Sequence, residues 1–326
     1  MSHRIKPPKP PKSGKKAVAT IQRDSAGAPA WPSYTGTSEL VGTSRGGRVT
    51  VYVDPSLGQQ ALQNAQDLLN DADRIVTAND GIFGTTGGLV SALVFALGGA
   101  TDGTGGADHM GCDYTTGNAI EVDASYGNSE RVSALFEAEL SECSMNGNLC
   151  SESTGEALSR WCAAVIGNNA LADFATAPEW VSDGMANWVD QTEDTDQDGD
   201  SIGCGMAFIS WLISQGYGLQ KIAPAMVNLG DAGTLAQLYA NLTGDAESNA
   251  WPNFQAAIQN LPNGVTNDDP FNGLAQSTQA SMTANAANVG AAMAPAAKTT
   301  TAAVCHPASK RLLPPGKSPL RNVRSA

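Results

Sequence analysis

Histidine is the scarcest functional residue in this chain: three among 326 residues, at His3, His109 and His306. Only His109 lies away from the two ends, so a site in the body has one imidazole to recruit. The six cysteines (Cys112, Cys143, Cys150, Cys162, Cys204 and Cys305) contain no CxxC pair, which excludes the usual cysteine metal motifs. No apolar run is long enough to span a bilayer. The most apolar one, LVSALVFAL at 89–97, suits a buried strand. The glycine-rich passage around His109 lacks the GK[ST] of a phosphate loop, which argues against nucleotide binding.

Basic residues are missing from the middle of the chain. Residues 1–23 carry seven Lys/Arg and residues 298–326 carry six, leaving six in 24–297 against all 32 acids, a net of −26. So acidic a body argues against direct nucleic-acid binding by the folded part and for solvation, metal sites or cationic partners. Only the basic ends are suited to a nucleic acid or another anionic surface. The N-terminus, MSHRIKPPKPPKSGKK, has no apolar stretch behind its charges and is not a classical secretory signal. The expectation is a cytoplasmic protein, or one exported by another route. Reduced, partly buried thiols are expected; in an oxidising compartment Cys143 and Cys150 could close a short loop.

The order of patterns predicts an α+β chain: a small N-terminal sheet with one helix, then a mainly helical C-terminal half. Residues 1–47 read as a disordered basic and Pro-rich arm and linker, 48–262 as the folded domain, and 263–326 as a low-complexity basic tail. Alternating Val49, Val51 and Val53 predict a strand, and Leu62, Ala65, Leu68 and Leu69 a helix from Pro55 to about Ile75. Strands follow at 89–97 and, half-buried, at 118–124. Helices are expected at 157–166 and 180–189, each behind a capping box (Ser153/Glu156 and Thr176/Glu179), then at 202–213, 219–227, 235–242 and 251–261.

The helix predicted at 129–143, SERVSALFEAELSEC, holds the main functional hint. Val132, Leu135, Phe136 and Cys143 form one apolar stripe, and Glu139 lies inside it with Glu142 beside it. A carboxylate on a core-facing stripe is costly unless it is paired, metal-bound or lining a cleft. The plain alternative is an ion pair from Glu139 to Arg131 or Arg160.

Three stretches in order, FEAELSE at 136–142, APEWVSDGMANWV at 177–189 and GCGMAFISWLISQGYGLQKIA at 203–223, resemble the gluzincin-type zincin metallopeptidases. The resemblance places AELSE, 138–142, on the HExxH motif, with Glu139 in the general-base position. Ala138 and Glu142 stand where the zinc-binding histidines belong. The third ligand falls on Asp183, or alternatively on Glu156. A standard two-histidine zinc site is therefore absent. The resemblance implies a catalytically degenerate peptidase-like domain, a binding or structural module with a carboxylate-lined cleft for a protein or peptide. One alternative is a hydrolase with Glu139 as base and Glu142, Asp183 or His109 as partner or unusual ligand. Another is a scaffold whose basic ends hold an anionic partner.

Two further features are read beside it. Asp183 lies opposite the stripe of Trp180, Val181, Gly184 and Trp188 and is expected in solvent. Asp194, Asp196, Asp198 and Asp200 resemble the start of a DxDxDG calcium loop, but its twelfth position is Gly205, where a bidentate Glu is needed. Calcium is a candidate ligand there, and a solvated acidic loop is the plain reading.

Overall fold

The computed structural model describes residues 27–116 and 118–276. Strands β1 (Glu39–Thr43) and β2 (Val49–Val53) form an antiparallel hairpin. Helix α1 (Gly58–Phe83) crosses to β3 (Val90–Phe95), parallel to β2. Strands β4 (Ala107–His109) and β5 (Ala119–Asp123) complete a five-stranded sheet of order β1-β2-β3-β5-β4, with β5 parallel to β3 and β4 an antiparallel edge. The helices that follow are α2 (Ser129–Ser144), α3 (Ser153–Ile166), α4 (Ala177–Ser182), α5 (Gly199–Ser214), α6 (Leu219–Leu229), α7 (Leu235–Thr243) and α8 (Ala250–Gln259). The architecture is the expected one, a small sheet with one helix and then a mainly helical half.

Helix α1 runs about two turns beyond its expected end because its buried face continues through Val76, Asn79, Ile82 and Phe83. It stops at Gly84, whose left-handed φ of 69° lets its N–H reach the Asp80 carbonyl. The Asp80 carboxylate holds Arg48 at 2.5 Å, tying the helix end to the start of β2.

Strand β5 is buried along its whole length, not on one face only. Helix α2 covers one side, and part of the expected N-terminal arm covers the other. Ala28, Trp31 and Tyr34 pack on Tyr52, Leu93 and Phe95. Ser33 and Tyr34 donate three hydrogen bonds to Glu121 of β5, at 2.6–2.9 Å. Burial pushes the Glu121 carboxyl up, and these three bonds oppose the shift. Packed structure therefore extends back at least to Ala28, and β1 lies within the stretch expected to be linker. Residues 1–26 lie outside the described residues.

Asp123 closes β5 by accepting from the N–H groups of Leu97 and Gly105, both at 3.0 Å, which shapes the glycine-rich loop before β4. Burial pushes its carboxyl up to about 6, against the pull of those backbone donors. The native state thus holds its proton to a higher pH than the unfolded chain does. Asp123 therefore contributes most below about pH 4, and that contribution is lost as pH rises through about 6. Relative to Asp123→Asn, the native protein is expected to lose about 2–3 kcal/mol of stability between pH 4 and 6.5, measured by urea unfolding.

In the helical half, α5 is buried from Ser201 to Ile213, as its apolar circumference predicts. Two glycines bring its neighbours close. A side chain at Gly203 would meet the Thr176 carbonyl at 2.5 Å, and one at Gly205 would meet Ala157 Cβ at 2.7 Å. Phe208, Trp211, Trp180 and Phe254 join in a ring cluster with centroids 5.0–6.0 Å apart. Helix α4 ends at Ser182 instead of continuing to 189, because Gly184 and Met185 take positive φ and Trp180 Nε1 bonds the Ala186 carbonyl. Neither expected capping box forms: Glu152 precedes α3 and Thr176 precedes α4, and neither side chain makes a cap bond. A full box does form at α7, from Thr234 and Gln237.

The C-terminal boundary also moves. Asp268, expected in the tail, accepts from Thr176 N at 2.8 Å, Ala177 N at 2.7 Å and Arg160 at 3.0 Å. It caps the short helix α4 from 91 residues away, the role Thr176 leaves unfilled. Asp269 likewise accepts from Ser210, Gly273 and Leu274. Residues 277–326 lie outside the described residues. Among the described residues, no helix is long and apolar enough to cross a membrane.

Candidate functional site

Helix α2 begins at Asn128, whose side chain accepts from Arg131 N at 3.1 Å. From Arg131 to Ser144 every residue except Ala138 is buried. Sheet, α1 and α3 enclose it, and beyond Glu130 in its first turn every acid of the helix is buried. Strand β4 runs antiparallel along the sheet edge beside it and presents His109, whose backbone pairs with Ile120 of β5.

His109 Nε2 lies 2.7 Å from Glu142 Oε2 and 3.8 Å from Glu139 Oε2. The three residues are 6%, 7% and 5% exposed, respectively. Expected on a loop, His109 instead sits on a strand, held by the sheet ladder. The arginines expected to pair with Glu139 are engaged elsewhere, Arg131 with Asp173 at 2.6 Å and Arg160 with Asp268 at 3.0 Å.

Cys112, three residues beyond His109, is joined to Cys150, in the turn between α2 and α3. Gly147 N also donates to the Cys112 carbonyl at 2.8 Å. The expectation of reduced thiols, or of a Cys143–Cys150 loop, is thus corrected for this pair. Cys143, Cys162 and Cys204 are buried and in no disulfide, while Cys150 reaches across to the loop after β4. The disulfide and the backbone bond staple the strand that supplies the imidazole to the helix that supplies the carboxylates.

Tested against a zinc peptidase site, the residues do not fit: one imidazole faces two carboxylates, and both acids come from a single helix turn. Comparison with models of known families and with curated proteins returns no match. The site's reading therefore rests on its own geometry.

The remaining candidate residues lie apart from this cluster. Glu156 is half-buried in the first turn of α3, and Asp183 is exposed at the end of α4, as expected; neither belongs to the group of converging donors. The DxDxDG segment does not wrap as a calcium loop. Asp198 caps α5, accepting from Asp200 N at 2.8 Å, and Gly199 is already helical where such a loop needs its sharp turn. Asp194 and Asp196 lie in the irregular segment before it. Burial and the neighbouring acids Asp183, Asp198 and Glu179 push the Asp200 carboxyl up. Neither the cavity lined by Arg160, Trp161 and Asp268 nor the one lined by Leu149, Leu235 and Leu238 includes His109, Glu139 or Glu142.

One buried acid escapes sequence reasoning. Glu137 is wholly inaccessible, and neither carboxylate oxygen has a hydrogen-bond partner. Burial pushes its carboxyl well above the ordinary range, opposed by Arg74 and reinforced by Asp80. The signal available was the run of small residues Ser133, Ala134, Ala138 and Ser141, which lets neighbours close on the side away from the apolar stripe. Glu137→Met keeps the volume and removes two unsatisfied atoms. It is expected to stabilise the protein by about 1–3 kcal/mol, raising the melting temperature by several degrees.

Proposed function

We propose that this chain is a zincin-like domain without peptidase activity, in which the helix at the catalytic position serves a closed, buried polar site. What supports the fold reading is α2, with Glu139, lying beside an antiparallel edge strand of a five-stranded sheet, with helices following. The observation that carries the functional reading is the convergence of His109, Glu139 and Glu142 with all three less than a tenth exposed. Peptide hydrolysis needs an open water position and room for a substrate backbone beside the base. Among the described residues Glu139 has no second histidine beside it, and neither the cavity at Arg160 and Asp268 nor the one at Leu149 and Leu235 reaches it. The module holds its shape around this site instead of turning over a substrate.

A hydrolase using Glu139 as base is the competing reading, favoured only by the nearby imidazole, since catalytic contacts can tighten on substrate binding. The test is hydrolysis of a broad peptide mixture by the native chain and by Glu139→Gln, followed by mass spectrometry. The expected result is no cleavage by either. Cleavage by the native chain that Glu139→Gln abolishes would overturn the proposal. The Cys112–Cys150 disulfide supports an oxidising compartment over a reducing cytoplasm. The basic ends fall outside the described residues, and an anionic partner for them rests on their charge alone.

A further inference from the structure

We infer that His109, Glu139 and Glu142 form a binding site for one divalent transition-metal ion, enclosed between β4 and α2. This deepens the closed-site reading above and rests on it. The three residues offer one nitrogen and two oxygens that all lie within 4.8 Å of one another. Donor atoms around a tetrahedral ion at 2.0–2.1 Å stand about 3.3 Å apart. The observed separations from His109 Nε2, 2.7 and 3.8 Å, bracket that spacing, so side-chain shifts of about half an ångström would seat an ion.

The donor chemistry narrows the ion. One imidazole with two carboxylates suits Zn(II), Mn(II) or Fe(II). Calcium or magnesium would demand six or more oxygens. Two carboxylates and a neutral imidazole carry a charge of −2, which a divalent ion cancels within a region shielded from water.

The frame is already rigid. Ladder bonds to β5 fix His109, and a single helical turn fixes the two acids. The Cys112–Cys150 bridge holds strand against helix. Pre-positioned donors lose little freedom when an ion binds. One feature limits affinity. Among the described residues the buried His109 Nδ1 has no acceptor, so they do not supply the outer-shell hydrogen bond that usually strengthens a histidine ligand. Such a bond is worth about 10–100-fold, which places the expected Kd in the micromolar range instead of the nanomolar.

The experiment uses the full chain, stripped with chelator and dialysed against Zn2+ or Co2+, with bound metal measured by elemental analysis and Co2+ followed by its visible absorption. The expected result is one ion per chain, with affinity falling more than about 100-fold in both His109→Gln and Glu142→Gln. Asp196→Asn, in the acidic loop, is expected to bind as the native chain does. No uptake by the folded native chain at millimolar metal would overturn the inference, as would uptake that both variants retain. Should either variant fail to fold, histidine 15N spectra of the native chain keep the question decidable. Zn2+ must shift the His109 signals, and an unchanged spectrum overturns the site. Failure here is separable from failure of the closed-site reading, because peptide cleavage sensitive to Glu139→Gln contradicts that reading whether or not metal binds.

Discussion

Removing the Cys112–Cys150 bridge is expected to lower stability by about 4 kcal/mol, for its closed loop spans 38 residues. For a folded region of this size, that is a fall of roughly 10 °C in melting temperature. The double variant Cys112→Ser/Cys150→Ser avoids leaving a lone thiol. Reductant should lower the melting point of the native protein and leave the double variant unchanged. A native melting curve insensitive to reductant would show that the bridge is not formed in solution. The loss is expected to be local as well as global. With the staple cut, His109 is held beside α2 by the short β4–β5 ladder, the Gly147–Cys112 backbone bond and its own contact with Glu142. Backbone exchange at 107–113 should therefore accelerate more than exchange in β2 or β3.

Ending the chain at residue 262 is expected to cost about as much, roughly 3–5 kcal/mol, because it breaks a largely buried ion pair and uncaps a helix together. Asp268 neutralises Arg160, whose side chain is 12% exposed, and satisfies the first N–H groups of α4. Asp269 and Phe271 also close over Ser210 of α5. The single change Asp268→Ala should reproduce most of the loss, while a chain ending at 276 should melt with the full protein. Equal melting temperatures for the chains ending at 262 and 276 would contradict this account of the C-terminal boundary.

Both effects concern links that no local pattern reveals. Helices α5 and α7 are legible because apolar residues recur at helical spacing, as in Leu235, Leu238 and Tyr239. The strand β2 is legible from alternating valines. The edge strands are not: β1 has a register shift between Leu40 and Gly42, and β4 is three residues of mixed polarity. Their strand character comes from pairing with a neighbour already in place, a tertiary effect with no local trace. The capping boxes fail for a related reason. Thr176 and Glu179 have the right spacing, but Asp268 takes the Thr176 N–H, together with that of Ala177, from far along the chain.

The candidate site divides in the same way. Glu139 and Glu142 are visible as acids on one side of an apolar helix, and His109 stands out because the body has no other imidazole. Their convergence depends on β4 lying beside α2, which follows from sheet order and the Cys112–Cys150 bridge. As candidate ligands Glu156 and Asp183 come only from the family likeness, and the structure leaves them outside the cluster. Glu137 was hidden because burial all round a helix depends on both neighbouring helices.

The central claim, that the edge-strand imidazole is packed onto the acids of α2, is tested most directly by 15N spectroscopy of the histidines in the full native chain and in Glu142→Gln. With only three histidines, the His109 signals can be assigned by their loss in His109→Gln. The account predicts a hydrogen-bonded Nε2 that exchanges slowly with water and shifts markedly in Glu142→Gln. A His109 ring that exchanges freely and is indifferent to that substitution would contradict it.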